Sequence, residues 1–248
     1  MPGRMRDATA PNHGHSLACT AFAAQEVFGL TWGRHRSRHP VQMLTALNER
    51  IDQLPALEQR RFVGFTLALI LAAAVVASFD FVPILDHINL AFHEAGHPLF
   101  GLFGETLGWL GGSLGQFVFP LATTVHFLRR QQYLSAAACA IWLFENLRYV
   151  ALYLGDAQTQ ALPLVGGGQH DWTHLLSLWG VLAYDRQIAG ALTALSWSGW
   201  VLVWALVALW WWRSRQRLAE QAQNAERERI IAQAKLRADQ RRRQGRNT

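Results

Sequence analysis

Three ionisable residues stand close together inside an apolar stretch of the sequence. Residues 92–101 read FHEAGHPLFG, with His93 and His97 four residues apart and Glu94 beside the first histidine. Residues at i and i+4 share a helix face, so two imidazole nitrogens can hold zinc from one side. Glu94 can then take a proton from a water molecule whose pKa the metal lowers to about 7. The spacing predicts a hydrolytic metal site with His93 and His97 as ligands and Glu94 as general base.

The apolar surroundings strengthen this interpretation. Ionisable groups placed in a membrane-type segment cost several kcal/mol unless an interaction compensates for them, and a bound metal ion would do so. The structural alternative is a set of buried polar side chains that neighbouring helices satisfy. That alternative gives no reason for the HExxH spacing.

At these residues the chain resembles the site-2 protease family of intramembrane zinc metalloproteases, which carry HExxH in an apolar helix and a further ligand on a later helix. The resemblance covers HEAGH and its apolar context. It implies Zn²⁺ as cofactor and hydrolysis of a peptide bond in a membrane-associated protein or peptide. The family's Leu-Asp-Gly ligand sequence is absent here. Pro98 also predicts a kink at His97, because proline removes the hydrogen bond to the Glu94 carbonyl.

The third ligand is expected from a glycine turn further along the chain. Residues 164–176 read LVGGGQHDWTHLL, so His170 and Asp171 open a short apolar helix. Asp171 stands where a helix N-cap belongs, whereas His170 has no such structural role, so the residue types favour His170. The family resemblance favours Asp171, and one residue could bind the metal while the other orients it. Glu145 and His174 are further candidates.

Asn146 is the second predicted catalytic residue. It lies next to Glu145 in the apolar segment 133–155. Its amide could donate a hydrogen bond to a substrate carbonyl or to the oxyanion that forms during acyl transfer. Glu145 has an alternative role as the partner of Arg148, three residues further along a helix.

Long apolar segments occupy the middle of the chain and must position these residues. Of the 248 residues 51% are apolar and 16% are charged. Segments of spanning length, or close to it, cover 62–79, 109–128, 133–155 and 188–212. Two further apolar segments are ambiguous: 84–104, which carries the motif, and 172–184, which is too short to span. We therefore expect an all-α polytopic membrane protein with about four to six membrane helices and re-entrant or partly inserted segments.

Arginines predict the orientation of these helices. Arginines precede residue 62 and follow residue 212, so the positive-inside rule places both termini in the cytoplasm and makes the number of crossings even. Four crossings, which we prefer, also place Arg129 and Arg130 inside, whereas six place them outside. The near-exclusive use of arginine over lysine suits a bacterial chain, and we expect the inner (cytoplasmic) membrane.

The charge distribution divides the chain into three predicted parts. Residues 1–61, with eight arginines and five acids, form a cytoplasmic segment with a short amphipathic helix. Residues 62–212 hold four arginines and eight acids and form the membrane-embedded, metalloprotease-like core. Residues 213–248, with ten arginines, one lysine and four acids, form a basic cytoplasmic helical tail. Because the arginines flank apolar spans, we expect membrane lipid rather than nucleic acid as the partner of these charges.

Two classes of function remain open from the sequence. The first is a membrane-embedded zinc metalloprotease that cleaves a membrane-associated protein. The second is a metal-binding membrane protein without hydrolytic activity, such as a zinc transporter, sensor or scaffold. Glu94 separates the two, because a transporter would use this carboxylate as a ligand or proton carrier.

Overall fold

The computed structural model describes residues 40–165 and 168–244. Every regular element in these ranges is a helix, which confirms the all-α prediction. A short 3₁₀ turn, Leu182–Tyr184, lies between the last two of seven α-helices: α1 (Pro40–Asp52), α2 (Gln59–Ser78), α3 (Leu85–Gly101), α4 (Glu105–Arg129), α5 (Tyr133–Gly155), α6 (Asp171–Leu178) and α7 (Asp185–Gln244). The chain divides into two compact units, Met1–Arg50 and Ile51–Thr248, and all features below belong to the second. Residues 1–39, which make up most of the predicted cytoplasmic segment 1–61, lie outside the described part.

Two helical segments are long and apolar enough to cross a membrane. These are Gln59–Ser78, which is α2, and Leu182–Arg242, which contains most of α7. The segments 109–128 and 133–155 do form the long helices α4 and α5, but they do not meet the same measure of apolarity. Glycine and polar side chains in α4, and Glu145 and Arg148 in α5, lower their mean hydropathy. The prediction of four to six membrane helices is therefore supported for two of them.

One continuous helix crosses the predicted boundary between core and tail at residues 212 and 213. Helix α7 continues without a break from Asp185 to Gln244. From Leu218 to Arg242 every residue is exposed. The basic tail is thus an uninterrupted extension of the last apolar helix, as strong helix-forming residues in this segment predict.

Helix α5 lies at the centre of the second unit. Val150 and Leu154 pack with Leu175 of α6 in one apolar cluster, and Ile141 packs with Val76 and Trp200 in another. Ser196 of α7 donates a hydrogen bond to the Phe144 carbonyl at 2.6 Å. These contacts hold α5 against α2, α6 and α7, which places its remaining face towards α3 and α4.

Helices α3 and α4 approach each other through glycine. A Cβ atom on Gly96 would collide with the Gly111 carbonyl, and one on Gly115 would collide with the Phe92 carbonyl. Rows of small residues allow this close backbone contact between helices. The glycine rows of α4 thus serve packing at Gly111 and Gly115, and they hold α4 directly against the helix that carries HEAGH.

Candidate metal centre

Three predicted side chains converge at one point between α3 and α6. Oδ2 of Asp171 lies 2.9 Å from Nε2 of His93 and 3.3 Å from Nε2 of His97. The ligand atoms of the three side chains all lie within 4.8 Å of one another. A tetrahedral zinc ion with bonds of about 2.0–2.1 Å separates its ligand atoms by about 3.3 Å. The three side chains could therefore hold a metal ion with small adjustments.

The backbone of α4 orients the ring of His97. Its Nδ1 lies 2.9 Å from the Gly108 carbonyl oxygen, which can only accept a hydrogen bond. A proton therefore sits on Nδ1, and Nε2 is the ring nitrogen that faces Asp171 and is left to bind a metal ion. Such a hydrogen bond fixes the tautomer and the orientation of a metal-binding histidine. Helix α3 continues through Pro98 to Gly101. The kink predicted at His97 does not keep the two imidazoles from meeting the same oxygen of Asp171.

Gly112 provides the space that both imidazoles occupy. A Cβ atom on this residue would lie 2.6 Å from Nε2 of His97 and would overlap the ring of His93. Only glycine leaves room here for two Nε2 atoms. Gly108 and Gly112 are four residues apart and share a face of α4, a spacing that alone does not show that this face meets the histidines.

The start of α6 delivers the carboxylate of Asp171. His170 is the N-cap of this helix, and its Nδ1 accepts the Thr173 backbone N–H at 3.3 Å. The structure thus exchanges the predicted roles: the imidazole caps the helix, and the Asp171 side chain remains free to contact the histidines of α3. The phenol oxygen of Tyr153 on α5 accepts the Asp171 backbone N–H at 3.2 Å. Asp171 is therefore tied both to its own helix and to α5.

The loop before α6 is fixed by the carboxylate of Asp156. Its oxygens accept hydrogen bonds from the Thr159 hydroxyl at 2.5 Å and from the backbone N–H groups of Ala161 and Leu162 at 2.9 Å. Burial opposes ionisation, but these hydrogen bonds hold the pKa of Asp156 below its usual value. Nε2 of His170 lies 3.9 Å from Oδ2 of the same carboxylate. The end of α5 and the start of α6 are therefore joined through one anion.

The protonation states of this segment suit a metal ligand and a neutral cap. Burial alone would raise the pKa of Asp171, but hydrogen bonds with His93 and His97 hold it below its usual value, so the carboxyl group is ionised at neutral pH. Burial lowers the pKa of His170. A neutral imidazole has one nitrogen with a free lone pair, which the N-cap requires.

A buried polar network fixes the rotation of α3. The amide of Asn89 donates to Oδ1 of Asp86 at 3.2 Å and to Oε2 of Glu145 at 3.0 Å, and its oxygen accepts the Trp142 indole N–H at 2.9 Å. Asp86, Asn89 and His93 lie on the same face of α3, one or two turns apart. Locking Asn89 to α5 therefore turns His93 towards the interior.

A cavity of about 580 Å³ opens onto these residues. His93, Glu94, His97 and Asp171 all line it. Its other walls are mainly apolar and aromatic: Phe81, Leu90, Trp109, Tyr149 and Tyr153. Glu94 thus shares a cavity with the three converging side chains, which its predicted role as general base requires.

The remaining predicted residues lie outside the group. Asn146 is buried, donates to the Trp142 carbonyl at 3.3 Å and is not among the residues that line the cavity. Glu145 belongs to the polar network around Asn89. The ring of His174 stacks on Trp109 with a centroid distance of 4.3 Å. Asp171 is therefore the only one of the four candidate third ligands that the structure brings to both histidines within its described part.

No protein-family model, curated protein or solved structure matches this chain.

The capping role of His170 leads to a first prediction. Replacing His170 with alanine removes the acceptor for the Thr173 N–H, so Asp171 should lose its orientation and zinc affinity should fall by about 10–100-fold. His170→Asn retains a good N-cap acceptor and should restore most of that affinity. Competition with a fluorescent zinc chelator measures both values. Equal losses in the two variants would show that the imidazole itself binds the metal.

Proposed function

We propose that this protein is a membrane-embedded zinc metalloprotease, similar in its site to the site-2 protease family. The observation that carries the proposal is the position of Asp171, whose Oδ2 lies 2.9 and 3.3 Å from Nε2 of the two motif histidines although it is 74 residues beyond His97 in the chain. Two histidines and one carboxylate are a donor set typical of catalytic zinc sites, and the neighbouring cavity leaves the fourth position open for water or substrate. Structural zinc sites instead surround the ion with four protein ligands.

The chemistry follows from the positions of the side chains. When bound, zinc supplies Lewis acidity that lowers the pKa of water and polarises a carbonyl oxygen. His97 is held by the Gly108 carbonyl and His93 by the rotation of α3, so both would offer Nε2 to a bound metal ion. Glu94 takes the proton from the attacking water and delivers it to the amide nitrogen that leaves. The apolar and aromatic cavity walls hold the substrate chain and limit access of other water molecules.

Exposed apolar side chains support a membrane location. Leu67, Ile70 and Leu71 of α2 are 60–67% exposed, and Val201 and Leu202 of α7 are 64% and 55% exposed. A water-soluble protein rarely exposes so much contiguous apolar surface, whereas lipid would cover it. In our proposal α2, α4, α5 and the apolar half of α7 cross a bacterial inner membrane, with both termini cytoplasmic. The substrate is a membrane-associated protein or peptide.

Metal removal and replacement of Asp171 test the proposal together. Purified protein is reconstituted in liposomes with a panel of transmembrane peptides that carry a fluorophore and a quencher. We expect cleavage that a chelator stops and zinc restores, with one zinc ion per chain by elemental analysis. The zinc affinity of Asp171→Ala should fall further than the loss of about 10–100-fold that is typical when a residue that only orients a ligand is replaced.

Two exposed residues far from the cluster provide matched controls. His126→Ala and Asp239→Ala should retain both zinc and cleavage, because neither side chain approaches the group. Full zinc content in Asp171→Ala would contradict the ligand assignment. Zinc binding without cleavage of any peptide in the panel would contradict the protease and leave the metal site intact.

A further inference from the structure

A second cavity lies on the neighbouring face of α5. It has a volume of about 590 Å³ and is bounded by the end of α2, the end of α5 and the start of α7. It shares three lining residues with the metal cavity: Asp80, Leu152 and Leu162. Its other walls include Arg148 and Arg186, which the metal cavity lacks. The proposed protease reaction uses neither arginine.

Arg148 is buried with unused hydrogen-bond donors. Its residue surface is only 9% exposed, and it lines the cavity. One guanidinium nitrogen donates to the Asp80 carbonyl at 3.4 Å and lies 4.0 Å from Oε1 of Glu145. Its Nε has no hydrogen-bond partner among the described residues. A guanidinium offers five donors, and leaving them unpaired in a buried position is costly. An anion in the cavity would remove this cost.

The cavity also carries negative charge. Asp80 and Asp156 both line it, together with the two arginines. The carboxylate oxygens of Asp156 are already engaged by the loop before α6, whereas Asp80 contributes its backbone carbonyl to Arg148. Because the charges of two arginines and two aspartates balance, the cavity does not favour a simple inorganic anion. It favours a ligand that carries both signs of charge.

The rest of the lining is apolar and small. Val76, Ala77, Ala151, Ala189 and Trp197 form walls without charge. Helix α2 ends at Ser78, α5 ends at Gly155 and α7 begins at Asp185. Asp80, Asp156 and Arg186 therefore lie next to these helix ends. If α2 and α7 cross a bilayer, this end lies at the level of the lipid headgroups. This step rests on the membrane location in the proposed function, not on the metal chemistry.

We propose that this cavity binds the headgroup of a zwitterionic phospholipid that carries a primary ammonium group. Arg148 and Arg186 hold the phosphate, and Asp80 pairs with the ammonium. The acyl chains lie along the small and apolar side chains of α2 and α7. Arginine suits this role because its planar donors match phosphate oxygens. A lipid bound here also forms part of the surroundings of the metal cavity, since Leu152 lines both.

Native mass spectrometry of the detergent-solubilised protein tests this site. The protein is titrated with phosphatidylethanolamine, phosphatidylcholine and phosphatidylglycerol of identical acyl chains. We expect one phosphatidylethanolamine to remain bound preferentially. Arg186→Gln should weaken its retention by about tenfold or more, the usual loss for a hydrogen bond to a charged group. Arg186 is exposed at the cavity mouth, so this variant should fold normally.

Two further variants complete the experiment. Arg130→Gln replaces an exposed arginine outside the cavity and should leave lipid retention unchanged. Asp80→Asn should reduce the preference for phosphatidylethanolamine over phosphatidylglycerol. Equal retention of all three lipids, or unchanged retention in Arg186→Gln, would overturn the proposal. Zinc content measured on the same samples separates this failure from failure of the metal site, because Arg186 does not line the metal cavity.

Discussion

Replacing Glu94 with glutamine should reduce peptide cleavage by about 10²–10⁴-fold while leaving bound zinc nearly unchanged. Glutamine keeps the shape of the side chain but has no carboxylate to accept the proton of water. Zinc should remain because the three converging donors are His93, His97 and Asp171, and Glu94 is not among them. Cleavage of the quenched peptides in liposomes and zinc content by elemental analysis provide the two measurements.

Glu105→Gln is the matched control for this experiment. Glu105 is an exposed residue in the first turn of α4, and it is absent from the metal cavity lining. Its variant should retain cleavage and zinc. If Glu94→Gln instead loses zinc, Glu94 is a ligand, and the alternative of a zinc transporter, sensor or scaffold becomes the better explanation. Unchanged cleavage with full zinc would exclude Glu94 as the general base.

The convergence of the two motif histidines was predictable because their relation is local. The i, i+4 spacing determines that His93 and His97 share a face of α3, whatever the rest of the chain does. Pro98 was expected to kink the helix at His97, yet the two imidazoles still meet the same oxygen of Asp171. Packing of α3 against α4 through Gly96 and Gly111 holds this segment of helix in place.

The third member of the group, Asp171, was harder to predict because capping preferences depend on tertiary contacts. From residue types alone, Asp171 was the better N-cap and His170 the better ligand. In the structure the Nδ1 of His170 accepts the capping hydrogen bond, and Tyr153 stacks on its ring with a centroid distance of 4.1 Å. That stacking comes from α5, and no local pattern contains it.

The number of membrane helices shows a limit of hydropathy. Helices α4 and α5 were expected to span the membrane. Both also carry residues that contact α3, the helix of the two histidines, and these residues are not apolar. Glycine at the α3 contact and ionisable groups such as Glu145 replace the apolar side chains that a lipid-facing helix would show. The sequence therefore predicts that these helices form, whereas their mean hydropathy also reflects their contacts with other helices of the protein.

Replacing Gly112 with alanine should abolish zinc binding without unfolding the protein. The added Cβ would lie 2.6 Å from Nε2 of His97 and would overlap the His93 ring. Alanine in a helix interior is about 0.5–1 kcal/mol more favourable than glycine, so α4 itself gains stability. The imidazoles are the ends of mobile side chains, so they can turn away from the new methyl group. The metal ligands would then no longer point to one position, and zinc content measures that loss.

Gly64→Ala is the control for the backbone effect. Gly64 is also inside a helix, and a Cβ atom there would meet nothing within 4 Å. This variant should keep zinc and show equal or higher thermal stability. Zinc loss in Gly112→Ala with a normal melting temperature would indicate that the methyl group disturbs the site alone. Full zinc in Gly112→Ala would mean that the two Nε2 atoms do not face α4 when the ion binds, and the proposed ligand geometry would be wrong.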